Sequence, residues 1–273
     1  MKRRIAAFAA IICMLFQLLP VTAEGGLTMK DLNTTDAFSM SLKRMARLSP
    51  PYTMEYKDYH VQQGFATDGE YAYSILENQV DKLCSIWKLD LKDWSVSEIK
   101  YGLDLDHGND MTYNPVLGQL LVVHNKPRYT RVSFVDPKTL EIQGAKTMPY
   151  QIYCMAYEPS RDQYIIGISG SYDFVILDNE FKKVQRFKGK NTGLVKQGVE
   201  CDENYIYFPQ CTDDAMKNVL MVYDWEGNFI TQIRVRAYQE IESLFHIGDD
   251  WYIAFNANGS YIYKATLEYD KKK

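Results

Sequence analysis

The sequence predicts an all-β protein, a single five-bladed β-propeller with four-stranded blades. The main observation is a unit of about 45 residues that recurs along the chain. Its starts lie 46, 44, 44 and 45 residues apart, at Gln63, Asn109, Tyr153, Gln197 and Glu242. Each unit holds short β-rich runs divided by turns, and four antiparallel strands in a period of this length are typical of a propeller blade.

The runs follow one another in the same order in each unit. An innermost strand opens the unit, as at residues 63–68, and a second run follows a turn, as at residues 71–76. The third run ends in aspartate in four of the five units, for example at Asp90. An aspartate suits a tight turn because its short carboxylate accepts backbone N–H groups. A fourth strand follows in the first four units, for example at residues 229–235.

The fifth unit lacks its outer strand, because the chain ends soon after residues 261–267. Residues 52–61 precede the first blade, are β-rich, and could supply that strand. This pairing would close the ring and remove two exposed sheet edges. We therefore expect the propeller to span residues 52–273 and to be closed by an N-terminal strand.

Residues 24–51 are predicted to be an N-terminal linker. Within it, residues 36–47 could form one short helix that ends before Pro50 and Pro51. Phe38, Leu42 and Met45 would lie on one face of this helix.

Residues 1–23 have the pattern of a secretory signal peptide, with a basic start, an apolar run at residues 5–19, and small residues before a cleavage site at Ala23. The apolar run is shorter than the roughly 20 residues that a membrane-spanning helix needs. A retained anchor is therefore the less favoured alternative. We expect a secreted, extracellular protein without membrane insertion after cleavage.

Charge and cysteine content exclude several classes of partner. Loss of the three basic residues of the signal peptide would change the formal net charge from −4 to −7. Nucleic-acid binders usually carry a basic stripe, so we expect no nucleic-acid partner. Four cysteines would remain, without a CxxC pair for zinc, and we expect them to be free or partly paired. We expect a monomer without a cofactor or a metal. The four are Cys84, Cys154, Cys201 and Cys211.

Polar side chains collect at one mouth of the predicted channel. First strands are innermost and begin at this mouth, and the antiparallel second strands end there. Amides, imidazoles and carboxylates offer donors and acceptors, and with aromatic rings they suit sugars. A channel that only holds water is the alternative. We call the predicted ligand-binding set the collar: Gln63, Asn78, His107, Asn109, Asp110, His124, Asn125, Tyr153, Gln197, Glu242 and Asn256.

The collar residues allow two other chemistries. His107, His124 and Asp110 could bind a metal, but two histidines so spaced are a weak signal. Asp110, Glu200 and Glu242 are carboxylates on inner strands, as five-bladed glycosidases use for acid and base catalysis. Glu200 lies three residues into its strand, so its side chain is expected to point away from the other two. The sequence has no GxSxG motif and no phosphate-binding glycine loop.

Two segments resemble five-bladed propellers of Gram-positive bacteria and their phages: Gln-Gly-Phe-Ala-Thr-Asp at residues 63–68 and His-Gly-Asn-Asp-Met-Thr-Tyr-Asn at residues 107–114. That group includes helveticin-like bacteriocins and teichoic-acid-associated secreted proteins related to phage receptor-binding propellers. The resemblance covers roughly residues 52–269. It implies recognition of a glycan or cell-surface polymer and carries over no catalytic residues. A cleavable signal peptide fits a secreted protein and not a phage fibre.

We therefore expect a secreted, non-catalytic protein that binds a carbohydrate or cell-wall polymer at the collar. One alternative is a glycoside hydrolase or a cyclotransferase-like enzyme with Asp110 and Glu242 as acid and base. Another is a protein–protein interaction scaffold that uses the side loops.

Overall fold

The computed structural model describes residues 26–50 and 55–270. Within these ranges the chain forms 21 strands and one short 3-10 turn, Met29–Asp31. None of the described segments forms a helix long and apolar enough to cross a bilayer. The predicted signal peptide, residues 1–23, lies outside the described residues.

Three antiparallel sheets have four strands each, paired in chain order. Sheet 1 consists of β2 (Tyr59–Thr67), β3 (Tyr71–Asn78), β4 (Leu83–Asp90) and β5 (Val96–Leu103). Sheet 2 consists of β6 (Asp110–Asn114), β7 (Gln119–Val123), β8 (Arg131–Val135) and β9 (Ile142–Thr147). Sheet 3 consists of β10 (Ile152–Glu158), β11 (Gln163–Ile168), β12 (Asp173–Asp178) and β13 (Lys183–Lys188).

The remaining strands form one nine-stranded sheet with two halves. Half-sheet 4 consists of β14 (Val195–Lys196), β15 (Glu200–Cys201), β16 (Tyr205–Cys211), β17 (Asn218–Asp224) and β18 (Phe229–Val235). Half-sheet 5 consists of β19 (Glu240–Ile247), β20 (Asp250–Asn256), β21 (Ser260–Tyr269) and β1 (Phe38–Leu48). Strand β1 joins the halves, since it pairs antiparallel with β21 and, over three residues, parallel with β18.

The N-terminal prediction needs correction. Residues predicted as a short helix in a linker form strand β1, which pairs with β21 along nearly its whole length. Phe38, Met40 and Leu42 recur at every second residue, the period of a strand, and both Phe38 and Met40 are buried. The spacing of Phe38, Leu42 and Met45 coincides with that of a helix face, but sheet pairing decides the conformation.

The outer strand of half-sheet 5 was therefore predicted at the wrong place. It is β1, and not residues 52–61. Of those residues, 55–58 form a turn and 59–61 begin β2.

The apolar core lies between neighbouring sheets. Tyr73 of sheet 1 packs with Met111 and Leu120 of sheet 2. Phe174 of sheet 3 stacks on Phe208 of half-sheet 4, with ring centroids 3.7 Å apart. Aromatic side chains thus fill the wedges between sheets, which explains their abundance in the strands.

The first strand of each sheet or half-sheet lies towards the centre of the molecule. Strand β2 contacts β6 and β19, β10 contacts β6 and β15, and β15 contacts β19. The repeat starts identified in the sequence fall at or beside these strands. The second, third and fourth runs also form strands; β7 and β18 have the predicted bounds.

Candidate functional site

One side chain from each repeat lies at an irregularity of the central strands. The pairing of β2, β10 and β19 with the next strand shifts around Gln63, Tyr153 and Glu242. Gln197 lies in the break between β14 and β15, and Asn109 directly precedes β6. A bulge re-aims a side chain that a regular strand would place elsewhere. We call these five residues the inner ring; each is 3–7% exposed.

Three collar residues assemble around Asn109. Its side-chain amide donates to the backbone oxygen of Tyr153 at 2.6 Å, and its Oδ1 accepts from Nδ2 of Asn125 at 2.7 Å. The Tyr153 hydroxyl is buried without a hydrogen-bond partner among the described residues. Nζ of Lys196 lies 4.5 Å from the centroid of the Tyr153 ring. This part of the collar therefore has an unused donor beside a cation.

A second group of collar residues surrounds a pair of glutamates. Glu240 accepts from Nε2 of Gln197 at 3.0 Å and from Nδ2 of Asn256 at 3.2 Å. Burial raises the pKa of Glu242 well above its ordinary value, and the charge of Glu240 and a hydrogen bond with it raise that pKa further. Burial and the neighbouring Glu240 therefore favour the protonated form of Glu242. Sequence reasoning missed Glu240, although it stands two residues before Glu242.

Asp110 has a structural position that the collar prediction did not anticipate. It is fully buried. Its Oδ2 accepts from the backbone N–H groups of Met155 at 3.1 Å and Val199 at 3.0 Å, and its Oδ1 accepts from the Ser243 hydroxyl at 2.8 Å. Its partners lie in sheet 3 and both half-sheets, so Asp110 links the central strands through hydrogen bonds. Because these bonds occupy its carboxylate oxygens, Asp110 is not free to contact a ligand. Burial raises its pKa to about 8, against the opposing effect of these hydrogen bonds.

Two glycines of the repeat allow the central strands to approach each other. The N–H of Gly64 donates to the oxygen of Gly108 at 3.1 Å, and the N–H of Gly198 donates to that of Glu242 at 2.7 Å. A Cβ on Gly64 would lie 2.8 Å from the carbonyl carbon of Asp110, and one on Gly198 would lie 2.9 Å from its Oδ1. The repeated Gln-Gly pair therefore reflects close backbone approach.

The two collar histidines do not share a site with Asp110. Nδ1 of His107 lies 2.7 Å from Oε2 of Glu77. His124 is fully buried within sheet 2, where its ring nitrogens contact Asp106 at 2.8 Å and Ser133 at 2.7 Å. Its place in the predicted collar is therefore wrong. No group of three or more His, Cys, Asp or Glu residues in the described ranges could hold a metal ion.

The remaining collar residues have plainer roles. The Asn78 side chain accepts from the N–H of Val80 at 2.9 Å and stabilises the β3–β4 turn. The Gln63 side chain makes no hydrogen bond to the described residues, although it is 3% exposed. Asn78 is therefore a turn residue, whereas Gln63 keeps an unengaged amide in the inner ring.

A groove of 300 Å³ lies between sheet 2 and the start of sheet 3, and no collar residue lines it. The backbone oxygen of Tyr129 accepts from the N–H of Ile152, which places the groove beside the start of β10. Nε of Arg131 is buried and has no hydrogen-bond partner among the described residues. The groove is lined by Pro127, Arg128, Tyr129, Thr130, Arg131, Thr147 and Gln151.

A larger cavity of 580 Å³ lies at the opposite mouth, where the first strands end and turn into the second. All three sheets and both half-sheets contribute to it, and sequence reasoning did not identify it. Glu200, which the sequence predicted to point away from the collar, lines this cavity with His246; Oε1 and Nδ1 are 2.9 Å apart. Burial raises the pKa of Glu200. Burial lowers the pKa of His246, but the hydrogen bond to Glu200 and the charges of Glu200, Asp202 and Glu158 together outweigh burial and raise that pKa.

Solved structures with a similar fold are β-propellers. Glutaminyl cyclase of Myxococcus xanthus has 9% identity and a TM-score of 0.63, over 86% of this chain and 99% of that chain. Virginiamycin B lyase of Staphylococcus aureus has 12% identity and a TM-score of 0.46, over 86% and 75%. The WD40 repeats of RRP9 have 11% identity and a TM-score of 0.46, over 78% and 62%. At 9% identity the likeness to the glutaminyl cyclase shows the fold alone: the chain is a β-propeller.

No protein-family model and no curated protein matches the chain. Membership of the helveticin-like propellers therefore stays a prediction.

Proposed function

We propose that the protein is a five-bladed propeller in which half-sheets 4 and 5 are separate blades and β1 is the outer strand of the last. The cyclic contacts of β2, β6, β10, β15 and β19 support this count. The five inner-ring residues, one from each repeat, support it as well. In this interpretation β1, the first described strand, closes the ring by pairing with β21, the last described strand.

We further propose that this propeller is a secreted protein that binds a carbohydrate or cell-wall polymer at the collar mouth, without catalysis. The observation that carries the proposal is the groove between sheet 2 and the start of sheet 3, with the buried Nε of Arg131, which has no partner among the described residues. A buried donor without an acceptor is unfavourable, and an oxygen atom of a ligand would satisfy it.

The chemistry of the groove suits a polyhydroxyl ligand. Tyr129 offers an aromatic ring, and Gln151 offers an amide that both donates and accepts. The volume of the groove, at the lower end of small-ligand pockets, suits one or two sugar units of a chain whose remainder extends into solvent.

The test is a binding screen of the protein beginning at Glu24 against purified glycans and cell-wall polymers. We expect retention of at least one polymer without release of product. Gln151→Ala and Tyr129→Ala should each weaken that binding about tenfold or more, the effect of about 1.4 kcal/mol in binding free energy. The matched control is Gln143→Ala, an exposed glutamine on β9 outside the groove. Equal binding by all variants would place the ligand elsewhere.

A second candidate function is an enzyme in which Glu242 is the acid and Glu240 its partner base. Two neighbouring carboxyl groups, one of which has a raised pKa, are a common arrangement for proton transfer. This replaces the predicted pair of Asp110 and Glu242, because Asp110 is fully engaged in hydrogen bonds. The similar fold of a glutaminyl cyclase adds a substrate to try, a peptide with an N-terminal glutamine.

This candidate is tested by incubating the protein with such a peptide and with the polymers from the screen. Mass spectrometry would detect cyclisation or release of sugar. Turnover that is lost in Glu242→Gln but kept in Gln143→Ala would establish the enzyme. If the protein bound a polymer but formed no product, the enzyme candidate would be excluded and the binding function would remain.

Secretion rests on residues 1–23. N-terminal sequencing of the protein exported by a bacterial host should give Glu24 as the first residue. An intact N-terminus in the membrane fraction would instead establish a retained anchor.

A further inference from the structure

We propose that the 580 Å³ cavity at the mouth opposite the collar is a second binding site, which takes an organic ammonium cation. It is formed by the turns that connect each central strand to the next strand. It shares no lining residue with the 300 Å³ groove at the collar mouth, which we call the collar groove. It is therefore independent of the function proposed above.

The first argument is charge. Six carboxylates line the cavity, against one lysine and one histidine. Lys30 pairs with Glu203 at 3.7 Å, and His246 pairs with Glu200. No ion pair engages the other four carboxylates within the described part of the chain. These four are Asp68, Glu158, Asp202 and Asp249.

The second argument is the burial of Glu158, which is only 6% exposed. Its Oε1 accepts from the backbone N–H of Ser160 at 2.9 Å. No basic side chain of the described residues pairs with it. A buried carboxylate without a cation is costly, and a bound ammonium group would offset that cost.

The third argument is the aromatic wall. Tyr113, Tyr157, Phe245 and Trp251 all line the cavity. The indole of Trp251 stacks on the His246 ring, with centroids 4.8 Å apart. Ammonium groups bind aromatic faces by cation–π attraction, and apolar parts of a ligand gain from the same rings. Since the described carboxylates form no metal-ligand group, the arrangement favours an organic cation over a metal ion.

The test is calorimetric titration of the mature protein with choline and with benzylammonium. Dimethylbutanol, the uncharged isostere of choline, is the ligand control. We expect saturable binding of a cation and binding of the isostere at least about tenfold weaker, because the charge carries the interaction. Glu158→Gln should weaken cation binding about tenfold, since it keeps the acceptor for Ser160 but removes the charge. Glu98→Gln, an exposed glutamate on β5, should change nothing.

A measurement on the unaltered protein guards against a misfolded variant. The chain has four tryptophans, and the indole N–H signal of Trp251 in a ¹⁵N spectrum should shift with added cation while that of Trp87, in sheet 1, does not.

Three results would each overturn the proposal: neither cation binds, the isostere binds as well as choline, or a correctly folded Glu158→Gln binds undiminished. Gln151→Ala in the collar groove should leave cation binding unchanged. A loss there would place the cation at the collar, and would also overturn the proposal.

Discussion

The carboxylate of Asp110 accepts a hydrogen bond from the hydroxyl of Ser243 at 2.8 Å, between residues 133 positions apart in the chain. The same hydroxyl oxygen lies 3.3 Å from the backbone oxygen of Phe65. Sheet 1, sheet 2 and half-sheet 5 thus meet at two side chains. The centre of the molecule is therefore held by polar contacts between repeats as well as by apolar packing.

We expect Asp110→Ala to be strongly destabilising. It removes the acceptor of two buried backbone N–H groups and one hydroxyl, and each unsatisfied group costs about 1–3 kcal/mol. Asp110→Asn keeps an acceptor oxygen and should cost about 1 kcal/mol. Urea unfolding of both variants measures the difference. If both variants lost the same small amount of unfolding free energy, Asp110 would not hold the central strands together.

Stability should fall as pH rises from about 4 towards 8. The pKa of Asp110 is about 8 in the folded protein, above its value of about 3.9 in an unfolded chain. The folded state then binds more protons than the unfolded state in this window, so its advantage is complete below the lower pKa and is lost as pH rises through the higher one. Glu242, whose pKa is also raised, acts in the same direction.

This pH dependence is checked by urea unfolding at several pH values. Asp110→Asn and Glu242→Gln should each flatten the decline, because each replaces the titrating group with a neutral amide. Glu98→Gln, which changes an exposed side chain, should reproduce the decline of the unaltered protein. A decline of the same slope in all four proteins would assign it to other groups.

Gly64→Ala and Gly198→Ala should each destabilise the fold by about 1–3 kcal/mol, as expected for overpacking of a tight contact. In both cases the added methyl group would press on Asp110. Gly144→Ala is the matched control, since a Cβ there would meet nothing within 4 Å. Thermal unfolding of the three variants is the measurement. Loss of stability in Gly144→Ala alone would contradict the packing argument.

The four described cysteines should be unreactive in the native protein. All are free and buried, and burial raises the pKa of each thiol, that of Cys211 to about 12. Since the thiolate is the reactive form, a thiol reagent should modify none of them until the chain is unfolded, and then all four. If the reagent modified fewer than four cysteines after unfolding without reductant, the protein would contain a disulfide.

Removal of β1 should prevent folding. A chain that begins at residue 50 lacks the partner of β21 and leaves its edge and the side chains around Phe38 and Met40 exposed. A chain that begins at Thr35 keeps the strand and should fold with a modest loss, because it removes the packing of Leu27, Met29 and Leu32 and the Lys30–Glu203 ion pair but no strand. Circular dichroism and unfolding curves compare the two. Equal folding would show that β1 is dispensable.

The sequence by itself determined the repeat and the order of its strands. Alternating apolar residues and turn aspartates are local signals. The first and last residues of strands such as β7 and β18 could therefore be predicted without the structure. It also indicated that the inner-ring residues are equivalent, because each opens a repeat.

Tertiary structure decided what local signals leave open. Residues 36–47 satisfy a helical spacing and a strand alternation alike, and only pairing with β21 selects the strand. From the sequence, Asp110 and His124 are polar groups at a channel mouth. In the structure both are buried, and partners from distant or neighbouring strands form their hydrogen bonds. The acidic cavity around Glu158 depends on turns from all the repeats meeting at one mouth. No single repeat indicates this cavity, because its burial and its excess of negative charge arise only when the sheets pack together.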